Sequence, residues 1–252
     1  MKGLRLALGF LTRLPVPAPP IYDPATIGAS LAWYPAVGAL IGLLLWVGSA
    51  LLALLLPAAP AVSAAVLVML WVWLTGGLHL DGLADAADAD AAGGDATRRL
   101  AVLKDPNAGP AGVTAVVLVL LLKTATVMSL LDTSTGLFPT LLVALLVGRA
   151  LIVAAFLTTP YIRAGGLGEA LAGHHDRYAC LASLGVTLLA ILILCGPAAA
   201  GTILLLAGGF LLYWRHAALR HLGGFTGDLV GALVERGEAL TLLACVVVLA
   251  GH

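Results

Sequence analysis

Long apolar runs constrain the fold of this chain more than any other feature of its sequence. One of them, PAVSAAVLVMLWVWLT at residues 60–75, contains no charged residue. A helix that crosses the apolar core of a bilayer needs about 20 mostly apolar residues, because its backbone N–H and C=O groups must pair within the helix. Only 10% of the 252 residues are charged, whereas soluble globular proteins carry roughly 25%. The sequence therefore predicts an all-α polytopic integral membrane protein.

Seven stretches are apolar enough to span a bilayer, so we predict about seven transmembrane helices in one membrane domain, residues 1–252. The fifth and sixth stretches are short, and the seventh is interrupted by ERGE at residues 235–238. The seven stretches are Trp33–Leu56, Ala58–Leu78, Ala111–Leu131, Leu137–Thr158, Tyr178–Leu194, Ala198–Tyr213 and Leu229–Ala250.

Positive charge is concentrated on one side of these stretches. The connections at 57–60, 132–136 and 195–201 contain no lysine or arginine. Cytoplasmic connections carry an excess of these residues, so we predict that the N-terminus and the polar loops 79–110, 159–177 and 214–228 are cytoplasmic. Those parts contain Lys2, Arg5, Arg13, Arg98, Arg99, Lys104, Arg163, Arg177, Arg215 and Arg220.

Residues 1–20 are predicted to contain an amphipathic helix. Its basic residues share one side of a helical wheel, and Leu4, Leu8 and Leu11 share the other. Such a helix is typical of segments that lie in the membrane interface and contact lipid. Over the whole chain, 13 basic and 13 acidic residues cancel, which gives no reason to expect a nucleic-acid partner.

The most unusual polar segment is GGLHLDGLADAADAD at residues 76–90. On a helix, Asp81, Asp85 and Asp88 lie within about 60° of one another around the axis, and Asp90 points away from them. Like charges at this spacing repel, and a divalent cation would remove that cost. Oxygen ligands suit Mg²⁺ or Mn²⁺. Metal-dependent chemistry is thus predicted here, and the alternative is an ordinary solvated helix start.

Two neighbouring features add to this prediction. His79 precedes the aspartates, and it is interpreted as a metal ligand, a general base or an interfacial residue. Further along, LKDPNAGPAG places Lys104 and Asp105 before Gly109 and Gly112 at the start of an apolar stretch. A lysine and backbone N–H groups at a glycine-rich helix start predict a phosphate site, and the alternative is an ordinary loop.

A second acidic motif, GGFTGDLVGALVERGE, occupies residues 223–238. Asp228 and Glu235 are seven residues apart on one helix face, with small residues between them. We predict that this helix and the one carrying Asp81 present carboxylates to one cytoplasmic cavity, which holds metal and a diphosphate. Arg163 and Arg177, in the 159–177 loop, are candidates for substrate contacts. Lys123 and Arg149 lie inside predicted spans, where each charge needs a partner that the sequence does not identify.

These motifs resemble those of the cobalamin synthase family, the adenosylcobinamide-GDP ribazoletransferases. The matching stretches are residues 76–89, Lys104–Gly112 and residues 223–238, and the opening FLTRLPVP at Phe10–Pro17 also resembles the start of that family. The resemblance covers nearly the whole chain. It implies a membrane enzyme that joins adenosylcobinamide-GDP to α-ribazole, or to its 5′-phosphate, and yields adenosylcobalamin, or its 5′-phosphate, and GMP.

The same resemblance implies Mg²⁺ as the cofactor and a location in the bacterial inner membrane with the active site facing the cytoplasm. It assigns catalytic roles to His79, Asp81 and Asp85. The metal ligands that it implies are Asp81, Asp85, Asp88, Asp228 and Glu235. Which acid is the general base, the number of metal ions and the oligomeric state stay open, including a homo-oligomer or a complex with other cobalamin-assembly enzymes.

Two other classes of membrane protein use acidic residues in a similar way. A CDP-alcohol phosphotransferase carries D-x-x-D-G-x-x-A-R, but here Asp81-Gly82 is followed by Leu-Ala-Asp. An ion-coupled transporter places its acids near the bilayer midplane on discontinuous helices, whereas the acids here cluster at one side. Both alternatives fit the pattern less well than the transferase.

Overall fold

The computed structural model describes residues 2–17, 23–131 and 137–249. These residues form α-helices and no β-strand apart from a single bridge between Tyr161 and Phe225, so the all-α prediction is confirmed. The helices are α1 Lys2–Leu11, α2 Pro24–Ser30, α3 Tyr34–Leu55, α4 Pro60–Thr75, α5 Leu78–Ala92, α6 Ala96–Val102, α7 Pro110–Leu131, α8 Leu137–Thr158, α9 Gly166–His174, α10 Arg177–Leu222 and α11 Gly227–Leu249.

Several of these helices are long and apolar enough to cross a membrane. Four segments qualify within the described residues, namely Pro24–Leu55, Pro110–Leu131, Leu137–Thr158 and Arg177–Leu222. A fifth arises only if α4 and α5, which are bent by 92°, count as one span. An integral membrane protein is therefore supported, while the number of about seven crossings stays a prediction.

The longest helix, α10, reverses direction in its middle. Gly196 has non-helical backbone angles, φ 74° and ψ 168°. In a straight helix Leu184 and Leu211 would lie about 40 Å apart, at 1.5 Å per residue. Instead both line one cavity of about 220 Å³ beside α8. The chain must therefore turn back near Gly196, which splits α10 into two halves that correspond to the predicted fifth and sixth stretches.

Helix α8 is the centre of the bundle, because it packs against α3, α10 and α11 and is mostly buried. Helix α5 packs against α11 and α7 beside this core. At the N-terminus, α1 buries Leu6, Ala7 and Leu11 while it packs against α2 and α3. Its contact with lipid stays a prediction. Residues 18–20 of the predicted interfacial helix and the predicted connection 132–136 lie outside the described residues.

Candidate active site

The site begins where α4 ends and the chain turns sharply into α5. Gly76 and Gly77 both have positive φ angles, 67° and 70°. Glycine adopts this left-handed conformation without the steric cost of a Cβ atom, which accounts for the two glycines before LHLD. Helix α5 has 15 residues, fewer than the ~20 that a spanning helix needs. Helix α5 is therefore too short to cross a bilayer by itself, and it leaves α4 at an angle of 92°.

Small residues allow α5 and α11 to approach closely. A Cβ atom at Gly82 would lie 2.6 Å from the backbone oxygen of Asp228, and one at Gly231 would lie 3.3 Å from the backbone oxygen of His79. Side chains at either glycine would push the helices apart. The two acidic motifs, far apart in sequence, consequently meet at this contact.

A cavity of about 170 Å³ lies beside this contact. Its wall includes His79 and Asp81 from α5 and Asp228 from α11. The remaining wall is mostly apolar and aromatic, and part of it comes from α1, α3 and α8. The structure thus brings together acids from both predicted motifs around one space, as expected for a shared site.

The pKa of Asp85 shows that the charges of these acids interact with one another. Burial, followed by the charges of Asp81, Asp228 and Asp88, raises the pKa of Asp85 to about 6, and Arg163 acts in the opposite direction. Carboxylates from both helices therefore repel one another at neutral pH. Arg163, which lies in the 159–177 loop, offsets part of this charge, since its Nη1 donates to Oδ2 of Asp228 at 3.0 Å.

His79 is buried beside the same cavity, with 4% of its surface exposed. Burial and the charges of Arg149 and Lys123 hold the pKa of its imidazole well below the usual value. The ring is therefore neutral at physiological pH. Its Nδ1 atom is buried and has no hydrogen-bond partner among the described residues.

Asp88 has a partner that the sequence did not reveal. Its carboxylate accepts hydrogen bonds from the backbone N–H of Gly109 at 2.6 Å and of Gly112 at 2.8 Å. A Cβ atom at either glycine would overlap this carboxylate. The N–H groups that we predicted to bind phosphate thus hold Asp88, which fastens the start of α7 to α5. We therefore assign Asp88 a positioning role and leave it out of the proposed metal ligands.

The charged residues inside the predicted spans pair with one another. Lys123 Nζ lies 2.6 Å from Glu235 and 2.5 Å from Glu238, and Arg149 also pairs with Glu238. All four side chains are almost fully buried. The network is neutral, with two positive and two negative groups. Since Glu235 is engaged here, we also leave it out of the proposed metal ligands.

Glu238 is a residue whose role the sequence analysis missed. The available signal was charge balance, because two cations within apolar helices require two anions. ERGE supplies them as Glu235 and Glu238. Their spacing of three residues places both on one side of a helix.

None of the six residues with predicted substrate or phosphate roles lines the cavity, and Gly109, Gly112 and Arg163 have the contacts described above. Lys104 and Asp105 are exposed, and the Asp105 carboxylate accepts hydrogen bonds from Asn107. Arg177 is exposed at the start of α10. Their substrate roles stay predictions.

The acids around the cavity suit a metal that is shared with a substrate. Within the described residues, no group of three or more His, Cys, Asp or Glu side chains is arranged to hold a metal ion. Mg²⁺, however, commonly takes only one or two protein carboxylates and completes its shell with water and substrate phosphates. Asp81 and Asp228 line the cavity, and together with Asp85, whose charge interacts with both, they supply the one or two carboxylates that a magnesium ion bound with a diphosphate needs.

Known proteins resemble the chain over nearly its full length. Residues 3–246 match the family described as cobalamin-5-phosphate synthase. An adenosylcobinamide-GDP ribazoletransferase of Ectopseudomonas mendocina (strain ymp) is 49% identical over 97% of this chain and 98% of its own. Proteins of the same name from Pseudomonas fluorescens (strain Pf-5) and Stutzerimonas stutzeri (strain A1501) are 47% and 45% identical, over 94% and 96% of this chain and 96% and 97% of their own. No solved structure matches the chain.

Proposed function

The chain belongs to the cobalamin-5-phosphate synthase family, and from this premise we propose how its site performs ribazole transfer. The activity is that of an adenosylcobinamide-GDP ribazoletransferase, in the final step of cobalamin nucleotide-loop assembly. A ribose hydroxyl of α-ribazole, or of its 5′-phosphate, forms a new O–P bond to the phosphate attached to cobinamide. The P–O–P anhydride bond breaks, and GMP leaves.

One observation supports the proposed location of this reaction. Asp81 of α5 and Asp228 of α11 line the same cavity, and Gly82 and Gly231 bring their helices into contact. Beside the cavity, the carboxylates of both helices therefore meet where a diphosphate and its metal would be held. The family membership argues against the CDP-alcohol phosphotransferase and the transporter, which had remained as alternatives.

The polar groups around the contact between α5 and α11 have the following roles in this proposal. Asp81, Asp85 and Asp228 would hold Mg²⁺, which supplies positive charge to offset the negative charge that develops on the departing GMP. Arg163 neutralises Asp228 and points its guanidinium group toward the same region, where it can contact a phosphate. His79, neutral and without a partner at Nδ1, would accept the hydrogen bond of the attacking hydroxyl and orient it, while a neighbouring carboxylate takes the proton.

The proposal also includes orientation. We place the protein in the bacterial inner membrane with this cavity at the cytoplasmic side. The polar loops that contribute Asp81, Arg163 and Asp228 are those in which lysine and arginine are concentrated, and such loops are retained in the cytoplasm.

The direct test is a GMP-release assay with purified protein in detergent micelles or nanodiscs. Adenosylcobinamide-GDP and α-ribazole are supplied together, with Mg²⁺ or with EDTA. We expect GMP and the joined cobamide in equal amounts with Mg²⁺, and loss of both with EDTA. GMP release without α-ribazole would indicate a hydrolase. Full activity in EDTA would rule out the metal role of the aspartates.

A further inference from the structure

The cavity beside Asp81 and Asp228 has an aromatic wall that the reaction scheme leaves unused. This wall consists of Phe10, Tyr34, Phe156 and Tyr161, which come from α1, α3, α8 and the chain after α8. Phe156 and Tyr161 are stacked with ring centroids 5.8 Å apart. We infer that this wall binds the aromatic base of α-ribazole, a flat alkylated benzimidazole. The inference rests on the proposed function and adds a substrate subsite to it.

The size of the cavity limits what it can hold. Pockets that enclose a whole drug-sized ligand measure roughly 300–1,000 Å³, whereas this cavity measures about 170 Å³. It therefore accommodates one ring system and not a corrinoid or an entire nucleotide. The corrin ring of the other substrate must bind elsewhere.

Two bases take part in the reaction, guanine and dimethylbenzimidazole, and the chemistry of the wall favours the second. Apart from the polar groups at the α5–α11 end, the cavity is lined by aliphatic and aromatic side chains such as Ile152, Phe156 and Leu171. Guanine carries several donors and acceptors on its edges, and each one left unpaired in this wall would cost about 1–3 kcal/mol. A dimethylbenzimidazole has methyl groups in their place and gains from aromatic contact.

One polar group of the wall matches the single free nitrogen of that base. Tyr34 lines the cavity, and its buried hydroxyl has Ser30 as its polar neighbour. Because the hydroxyl of Ser30 already donates to the backbone oxygen of Ile27, the Tyr34 hydroxyl keeps its own hydrogen and would donate it to the ring nitrogen of a benzimidazole nucleoside.

The position of the wall also agrees with the direction of the reaction. Asp81, Asp228 and His79 line the same cavity as the aromatic side chains. A base held against the aromatic wall places its attached ribose toward these polar groups, where the hydroxyl must attack. The aromatic wall would thus orient the nucleophile as well as bind it.

Two adjacent residues of α8 provide a matched test. Ile152 lines this cavity, whereas Leu151 lines the separate cavity between α8 and α10. Both are nearly buried, at 3% and 5% exposure. Ile152→Phe fills the proposed subsite, and Leu151→Phe adds a ring of the same size to the other cavity. Full-length protein in nanodiscs is titrated with α-ribazole alone by calorimetry, and KM is then measured for each substrate.

We expect Ile152→Phe to weaken α-ribazole binding by about tenfold or more, because the added ring occupies the space of the base. Its KM for adenosylcobinamide-GDP should stay within about twofold of the wild-type value, as should both constants in Leu151→Phe. Phe156→Leu retains an apolar wall but loses ring contact, so it should weaken α-ribazole binding by roughly three- to tenfold. If Ile152→Phe does not fold, the affinity of Phe156→Leu for α-ribazole tests the inference instead.

The inference is overturned if wild-type protein does not bind α-ribazole alone, or if both cavity variants bind it as the wild type does. It is also overturned if these variants raise the KM for adenosylcobinamide-GDP instead, which would assign the cavity to guanine. A different result would contradict the proposed function. Protein that binds α-ribazole through this cavity but releases no GMP with both substrates would refute the transfer and leave the subsite standing.

Discussion

Among the single residues, Asp85 and Asp88 show that two equivalent positions on one helix can have different roles when a neighbouring helix contacts only one of them. Both lie on the same face of α5, so helical periodicity assigns them the same role. The start of α7 separates them, because the N–H groups of Gly109 and Gly112 donate to Asp88, whereas Asp85 faces other carboxylates. That distinction depends on which helix packs beside α5, and this information is absent from the periodicity of α5 itself.

Asp85→Asn should abolish most activity. The asparagine has nearly the same shape as the aspartate, but the site that holds the metal loses one negative charge. We expect kcat/KM to fall more than about a hundredfold, as several kcal/mol of charge stabilisation are lost. The control is Asp90→Asn on the opposite face. Asp90 is exposed and pairs with the partly buried Arg99 at 2.9 Å, and an ion pair at the surface contributes about 0–1 kcal/mol. Equal losses in the two variants would disprove the one-face arrangement.

Gly112→Ala should destabilise the protein, because the new Cβ atom would overlap the Asp88 carboxylate and the backbone of Ala84. We expect the free energy of unfolding to fall by about 1–3 kcal/mol. The matched control is Gly201→Ala in α10, where a Cβ atom meets open space and alanine favours the helix by roughly 0.5–1 kcal/mol. Denaturant titration in micelles measures both. A neutral Gly112→Ala would show that Asp88 does not hold α7 closely.

Among the helices, α11 contributes to the cavity at its first turn and to the buried ion network further along its axis. Its first turn carries Asp228 at the cavity, and about 10 Å further along the axis, at 1.5 Å per residue, Glu235 begins the buried ion network. The network ties α11 to α7 and α8 through Lys123 and Arg149. The sequence predicted the extent of α11 and the need for partners. It could not show which spans are neighbours, and that determines the pairing.

Lys123→Met should strongly destabilise the bundle, since it leaves an unpaired carboxylate in an apolar interior. Loss of one partner of a buried pair costs about 3–5 kcal/mol. Addition of Glu235→Gln to Lys123→Met restores neutrality and should recover part of the loss, while Lys104→Met, at an exposed position, should have little effect. Thermal unfolding in detergent distinguishes the three. No recovery in the double variant would show that packing, not charge balance, gives Lys123 its importance.

At the scale of the whole molecule, the composition and apolar periodicity predicted an all-α membrane protein, and the helix bounds largely follow the predicted stretches. The reversal at Gly196 was also implied by the break between two short stretches. The site was predictable in part, because the acidic motifs were recognisable and the contact between α5 and α11 follows from their small residues. The aromatic wall was not, since Phe10, Tyr34 and Phe156 come from three helices and carry no common pattern.

The proposed orientation can be tested with single cysteines in a protein in which Cys180, Cys195 and Cys245 are replaced by alanine. Ala91→Cys in α5 and Ala58→Cys in the connection between α3 and α4 are both exposed. We expect a membrane-impermeant maleimide added to intact cells to label Ala58→Cys only, and lysis to expose Ala91→Cys. Labelling of both from outside would contradict a cytoplasmic site.

If the acids of α5 and α11 form one metal and diphosphate site, they must act together, and a double-mutant cycle measures that coupling. The cycle compares kcat/KM for wild-type protein, Asp85→Asn, Asp228→Asn and the double variant at several Mg²⁺ concentrations. Groups that act as a unit are non-additive. We therefore expect each single variant to require more Mg²⁺ and the double variant to lose far less than the sum of the two losses. Strict additivity, with an unchanged Mg²⁺ requirement in Asp228→Asn, would contradict a shared site.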